Sequence, residues 1–239
     1  MNTRAIVLFT GDPKREALRK GVPAALLDTL HQHLIDTIRR QDGIRLVIAS
    51  EHHDRFSLAS EGVVAQSGDV SLGAKIDTAF RFAFQLGCDS VILLAGDVAG
   101  VDLPLMEDAF AALESGGDRC VLGPSRDGGI YLLGLNRSGA LATSIEWDQI
   151  HWFTSSTAAE LAMRASAHGA GMAFVRSVDD IDSLADAVRI SAQLPLEFAL
   201  LRSRLRSLIA TGSPVALRRS AIAPSRPRVA SLFRGPPAA

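Results

Sequence analysis

Short apolar runs alternate along the chain with longer stretches in which apolar residues recur every three or four positions. The runs at 5–9, 44–49, 63–65, 90–95, 119–122, 130–135 and 172–175 are rich in Val, Ile and Leu, the composition of strands buried on both faces of a parallel sheet. Between them, Leu27, Leu30, Leu34 and Ile38 mark one face of a helix over 23–40, with Pro23 in its first turn and Gly43 beyond its end. Leu72, Ile76, Phe80, Ala83 and Phe84 predict a second helix over 71–86, and Leu105, Met106, Ala109, Phe110 and Leu113 a third over 103–113. Helices over 154–167 and after the acidic segment 178–186 complete the pattern, with Asp182 or Ser183 as the cap of the last. Residues 10–15 are expected to form a loop. Strands alternating with helices predict an α/β fold, a mainly parallel sheet sandwiched by helices.

The pattern changes at residue 194. Residues 194–208 read as a basic amphipathic helix, and the Pro, Ser and Arg-rich remainder as disordered. The expected division is therefore one domain over 1–193 and a tail over 194–239. A chain of 239 residues suits that arrangement.

Charge follows the same division. The net charge of −1 conceals −9 over the first 197 residues and +8 over the rest. An acidic body argues against nucleic acid as the main substrate of the globular part and is compatible with carboxylates gathered around a cation. The basic helix could contact the acidic body, an acidic partner or an anionic membrane surface. Cys88 and Cys120 have no metal-ligand spacing and read as buried thiols of a reducing cytoplasm. No signal-peptide pattern opens the sequence, and no uncharged run approaches the roughly 20 residues that span a bilayer.

The candidate chemistry lies at strand ends. Asp97 follows the apolar run 90–95 on a glycine turn, where open α/β sheets bind ligands. Asp97 with Asp180 and Asp182 forms the best candidate set for Mg²⁺ or Mn²⁺, although acidic residues after strands also cap helices. The turn around Asp127 opens toward the same crevice. Gly128 and Gly129 behind it either admit a ligand close to the backbone or form a plain hairpin turn. Residues 66–75, with Lys75 adding charge, could present backbone amides to an anion. His52 and His53 read better as a solvated turn than as a metal site, since adjacent side chains diverge. No nucleophile elbow surrounds Ser155 or Ser156.

Several segments together resemble one family. A strand ending in Phe9 is followed by a basic, proline-containing loop; then come Gln66-Ser-Gly-Asp69, the Gly96-Asp97 turn, Leu122-Gly-Pro-Ser-Arg-Asp-Gly-Gly-Ile-Tyr131 and Asp180-Ile-Asp-Ser183. This order resembles the DUF2064 family of bacterial glycosyltransferase-A-like nucleotide-diphospho-sugar transferases, which is similar to the phospholactate guanylyltransferases. The resemblance implies a single-domain glycosyltransferase-A-like fold and an enzyme transferring a sugar from a nucleotide-diphospho-sugar to a small acceptor, with Mg²⁺ or Mn²⁺. It implies that Asp97, with Asp180 or Asp182, holds the cation, and that Asp97 and Asp127 serve catalysis. Phe9, Thr10, Gly11, Lys14, Arg19, Gln66, Gly68 and Asp69 would face the nucleotide, and Gly128, Gly129 and Tyr131 the sugar or acceptor. The chain departs from the family pattern in its first loop, where Gly11, Glu16 and Arg19-Lys20-Gly21 replace the usual residues. Nucleotidyl transfer from a nucleoside triphosphate and non-catalytic nucleotide binding are the alternatives this leaves open.

Overall fold

The structure, a computed structural model, describes residues 2–51, 61–137 and 145–211; the paired histidines at 52 and 53 and the tail after 211 lie outside these. Its centre is a seven-stranded sheet: β1 (Arg4–Thr10), β2 (Ile44–Ser50), β3 (Gly62–Ala65), β4 (Ser90–Ala95), β5 (Arg119–Pro124), β6 (Ile130–Asn136) and β7 (Gly171–Phe174), in the order β3-β2-β1-β4-β6-β5-β7. β1 to β4 are mutually parallel where they pair, and β5 is parallel to β7. β6 alone is inverted, antiparallel to β4 and β5. Every residue of β4 and β6 is buried, and successive strand residues face opposite sides, so helices cover both faces.

The helices are α1 (Pro13–Lys20), α2 (Ala24–Arg39), α3 (Leu72–Gln85), α4 (Leu103–Leu113), α5 (Thr157–Ala167), α6 (Leu184–Gln193) and α7 (Ala199–Thr211). α2 to α4 follow the apolar spacing; Ser71 and Asp102 cap α3 and α4 by accepting hydrogen bonds from backbone amides of their first turns. Of the two candidate caps for α6, Ser183 takes the role, accepting from the Asp186 amide. Pro23 is the residue preceding α2, outside its first turn. One element contradicts the sequence reading: residues 13–15, expected as the end of a loop, open α1, which runs on to Lys20. Asp12 caps it by accepting from Lys14 N and Arg15 N, Pro13 opens it, and Gly21 closes it in the left-handed conformation.

Two cores result. The larger joins the sheet to α2, α3, α4 and α5, and holds Cys88 and Cys120 as buried thiols; burial pushes the Cys120 thiol up to about 12. The second joins α1, α2, α6 and α7 through Ala17, Leu27, Leu30, Ile181, Ile190, Phe198, Leu201 and Leu205. The amphipathic helix after residue 194 thus lays its apolar face on α2 and α6, leaving Arg204 and Arg206 exposed. Among the described residues no helix is long and apolar enough to cross a membrane.

Leu205 is fully buried in the second core. Leu205→Ala should lower the free energy of unfolding by about 2–5 kcal/mol, read from urea midpoints. A loss below about 0.5 kcal/mol, the size of a surface change, would contradict the packing of α7.

Candidate functional site

Because β1 to β4 run parallel and β5 and β7 share their direction, six strands end at one rim. The residues that follow them supply the site. Gly11 follows β1, Glu51 follows β2, Gln66 follows β3, Asp97 follows β4, Asp127 sits in the turn after β5, and Asp180 and Asp182 follow β7. Strand order reverses beside β1, since β2 and β3 extend to one side and β4 to the other. Such a switch point is where α/β sheets leave a crevice. α1 leaves β1 at this point.

Over β3, β2 and β1 lies a cleft of about 510 Å³. Of the residues predicted to face a nucleotide, Phe9, Thr10, Gly11, Arg19 and Gln66 line it. Lys14, Gly68 and Asp69 are exposed outside the lining, Asp69 beside Val70, which belongs to it. Arg15 and Glu16 of α1, Glu51, Leu72, Lys75 and Phe153 complete much of the wall. The charges are matched: Lys75 Nζ and Arg15 Nη1 meet Glu51 at 3.1 and 3.4 Å, and Arg19 Nη2 meets Glu16 at 3.6 Å. Phe153 holds φ at +63°, a left-handed conformation that bulky residues rarely adopt and that the surrounding structure must impose.

Next to the cleft the carboxylates converge. Oxygen atoms of Asp127, Asp180 and Asp182 lie within 4.8 Å of one another. Their approach is built by backbone. The segment after β7 pairs with the turn after β4 through a Val98–Asp180 bridge, and Ile181 N donates to Asp97 O at 3.0 Å. In this extended stretch Ile181 turns into the second core, so Asp180 and Asp182 share the opposite face. Gly96 lets the turn after β4 sit close, since a β-carbon there would come within 2.9 Å of His31 and Thr10.

Asp127 is held by its own turn: Ser125 Oγ donates to Oδ1 at 2.5 Å and Gly129 N at 3.1 Å. The glycine pair lies in the hairpin turn between β5 and β6. Gly128 has φ +87°, and a β-carbon there would lie 2.0 Å from Ser155 O, so the glycine admits the backbone of residue 155. Tyr131, expected to line the sugar pocket, is instead core: it is 1% exposed and its hydroxyl donates to Arg176 O at 2.7 Å.

Lys20, which sequence reasoning passed over, lies inside the acidic group. Its ammonium is 2.5 Å from Asp97 Oδ2, 2.8 Å from Ile181 O and 3.4 Å from Asp182 Oδ1. The side chains of Lys20 and Asp97 are 2% and 6% exposed. Burial alone would lift the Asp97 carboxyl; the bonded Lys20 ammonium outweighs it and holds the group below the usual carboxylate range. Burial would likewise lower Lys20, but Asp97, Asp182 and Glu16 keep its ammonium above the ordinary value. Glu16 is raised by burial and by Asp97 and Asp182, only partly offset by Lys20 and Arg19, so it couples the cleft to the carboxylates. Asp180 is pushed well above its ordinary value, by burial and then by Asp182, Asp97 and Asp127.

An oxygen-only donor set of this kind fits a hard divalent cation such as Mg²⁺ or Mn²⁺. A buried ammonium already standing among the same carboxylates shows that the pocket favours positive charge. Asp127, Asp180 and Asp182 are the residues that would hold the ion; Asp97, expected as a ligand, is engaged by Lys20.

The family model described as "Uncharacterized protein conserved in bacteria (DUF2064)" matches residues 34–151. Over that segment the chain is similar to this family. No curated protein matches it. Among solved structures, one from Desulfovibrio desulfuricans G20, provisionally named a nucleotide-diphospho-sugar transferase, is 19% identical with a TM-score of 0.70, covering 89% of this chain and 99% of its own. The inositol-1-phosphate CTP transferase of T. maritima is 16% identical with a TM-score of 0.51, covering 86% and 96%. Glucosyl-3-phosphoglycerate synthase of Mycobacterium tuberculosis, in complex with Mn²⁺, UDP and glucosyl-3-phosphoglycerate, is 12% identical with a TM-score of 0.51, covering 88% and 80%. These likenesses establish the glycosyltransferase-A-like fold.

Because its folded-state carboxyl is raised, the stability Asp180 contributes is fully present below the ordinary carboxylate range and lost as pH rises through the raised value. Asp180→Asn should therefore raise the metal-free melting temperature at pH 8, each kcal/mol recovered adding about 2–4 °C in a chain of this size. The gain should close as pH falls into the acid range. A variant that melts below the wild type at pH 8, or whose gain does not change with pH, would contradict this account.

Proposed function

We propose that this protein is a metal-dependent transferase that moves a sugar from a nucleotide-diphospho-sugar to a small acceptor. The observation that carries the reading is the adjacency, along one sheet rim, of the Asp127–Asp180–Asp182 group and a cleft walled by the first loop and α1. Phe9, Val70, Leu72 and Phe153 give that cleft apolar surface for a base. Arg15, Arg19 and Lys75 give it cations for phosphates. Mg²⁺ or Mn²⁺, when bound by the three aspartates, would offset charge on the diphosphate leaving group.

The chain's own residues have the remaining tasks. The bond broken is that between sugar C1 and the β-phosphate oxygen, the nucleoside diphosphate leaves with both bonding electrons, and an acceptor hydroxyl forms the new bond as it loses its proton. Asp127, fixed by Ser125 and Gly129, is oriented toward the other two carboxylates without needing to reorganise. Gly11, against which the Glu16 carboxylate packs, keeps the backbone low at the floor of the cleft.

The test is incubation of the purified chain and Mn²⁺ with a panel of nucleotide-diphospho-sugars and nucleoside triphosphates, water serving as default acceptor. Nucleoside diphosphate should be released from one or more sugar donors, should cease with EDTA, and should fall by about 10²-fold or more in Asp127→Asn. Pyrophosphate release from a triphosphate alone would replace this reading with nucleotidyl transfer. Metal-insensitive nucleotide binding without turnover would replace it with a non-catalytic binding protein.

A further inference from the structure

The ammonium of Lys20 donates to Asp97 Oδ2 at 2.5 Å and to Ile181 O at 2.8 Å, and forms an ion pair with Asp182 Oδ1 at 3.4 Å. Asp182 is the hinge of this arrangement. Its carboxylate faces Lys20 and also belongs to the group formed with Asp127 and Asp180. Two cations in this space would therefore draw on one carboxylate and repel each other at short range.

We propose that Lys20 is a resident cation of the site, which competes with the divalent ion for Asp182 and reserves Asp97 for itself. The inference rests on the metal-dependent reading above and concerns how the ion is held. It assigns Asp97 and Lys20 as positioning residues: together they fix Asp182 and the Ile181 carbonyl, so the carboxylates stay assembled without metal, and the ion binds weakly and exchanges.

Neutralising Lys20 should tighten metal binding, because the repulsion disappears and Asp182 is released. Full-length wild type, Lys20→Met and the double variant Lys20→Met/Asp97→Asn would be titrated with Mn²⁺, with no donor present, and free Mn²⁺ read by electron paramagnetic resonance. Lys20→Met should bind Mn²⁺ about tenfold or more tightly than wild type, as expected for removal of a like charge from the site, and the double variant, which loses the Asp97 attraction along with the Lys20 repulsion, should also bind more tightly but by a smaller factor, through release of Asp182. The double variant removes the buried pair as a neutral unit and so keeps the experiment decisive if Lys20→Met alone does not fold. In the wild type, Mg²⁺ should also shift the Lys20 ¹⁵Nζ resonance.

A folded variant that binds Mn²⁺ no more tightly than wild type would overturn the proposal, as would a Lys20 resonance unmoved by Mg²⁺. Absence of Mn²⁺ binding in all three chains would overturn it together with the cation site. Failure of the donor panel leaves this result unaffected, because nothing here is read from turnover. Metal-dependent turnover with unchanged variant affinities would leave the functional reading standing and remove only the role given to Lys20.

Discussion

The structure depends on how much negative charge it gathers in one partly buried place. Asp97, Asp127, Asp180 and Asp182 meet at the rim of the sheet, with Glu16 close enough to feel two of them. Desolvated like charges either bind protons or require a counter-ion. Lys20 is the counter-ion the chain supplies for itself, and its effect is local. Asp97, bonded directly to it, is held ionised, whereas Asp180, further from it and facing three other carboxylates, is pushed toward the protonated form. One lysine therefore stabilises half of the group and leaves the other half with a demand for positive charge.

Topology explains why these residues meet. A carboxylate after each of several parallel strands would stand in a row along the rim, but a row is too long for one ion. The row is shortened twice. The hairpin between β5 and β6 returns the chain at the rim and holds Asp127 over it, and the segment after β7 bends back to pair with the turn after β4. The second contact brings residues from distant parts of the chain into backbone hydrogen bonding, and side-chain alternation then places Asp180 and Asp182 together. α1 enters at the reversal of strand order and carries Arg15, Glu16 and Arg19 toward the cleft and Lys20 toward the carboxylates. A single helix of eight residues thus serves both halves of the site.

Most of this frame was legible in the sequence because buried parallel strands and amphipathic helices leave local signatures. The runs at 90–95 and 103–113 match β4 and α4 residue for residue. α1 was missed although its boundaries are written in the chain: Asp12 and Pro13 are a cap and a first-turn proline, and Gly21 is a left-handed stop. Its interior is mostly charged, so apolar periodicity has little to register. Lys20 went with it, since a lysine in a mostly charged stretch gives no sign that it will be buried. The Asp180-Ile-Asp motif is readable as paired carboxylates and Asp127 as a residue of the same crevice, but not Asp127 as their immediate neighbour in place of Asp97, because nothing local encodes a contact between a hairpin turn and a segment after the last strand. Tyr131 shows the converse error: its place in a conspicuous motif suggested ligand contact, whereas strand alternation sends its ring into the core.

The cleft and the carboxylate group have complementary deficits. In the cleft the cations already face carboxylates: Arg15 and Lys75 share Glu51, and Arg19 faces Glu16. A phosphate entering there exchanges with a side-chain anion instead of meeting free positive charge, and with Arg15 largely exposed the gain from that exchange is small. The mutual repulsion of carboxylates that a cation would relieve lies next door, among Asp127, Asp180 and Asp182. On the proposed reading, neither half is then well matched to its ligand alone: the cleft offers a diphosphate little net attraction, and the carboxylates do not attract an anion. A diphosphate that arrives with a divalent cation satisfies both at once. The charge distribution therefore favours the metal–diphosphate pair over free nucleotide, and it does so through residues that α1 and the two returns of the chain bring within reach of one another.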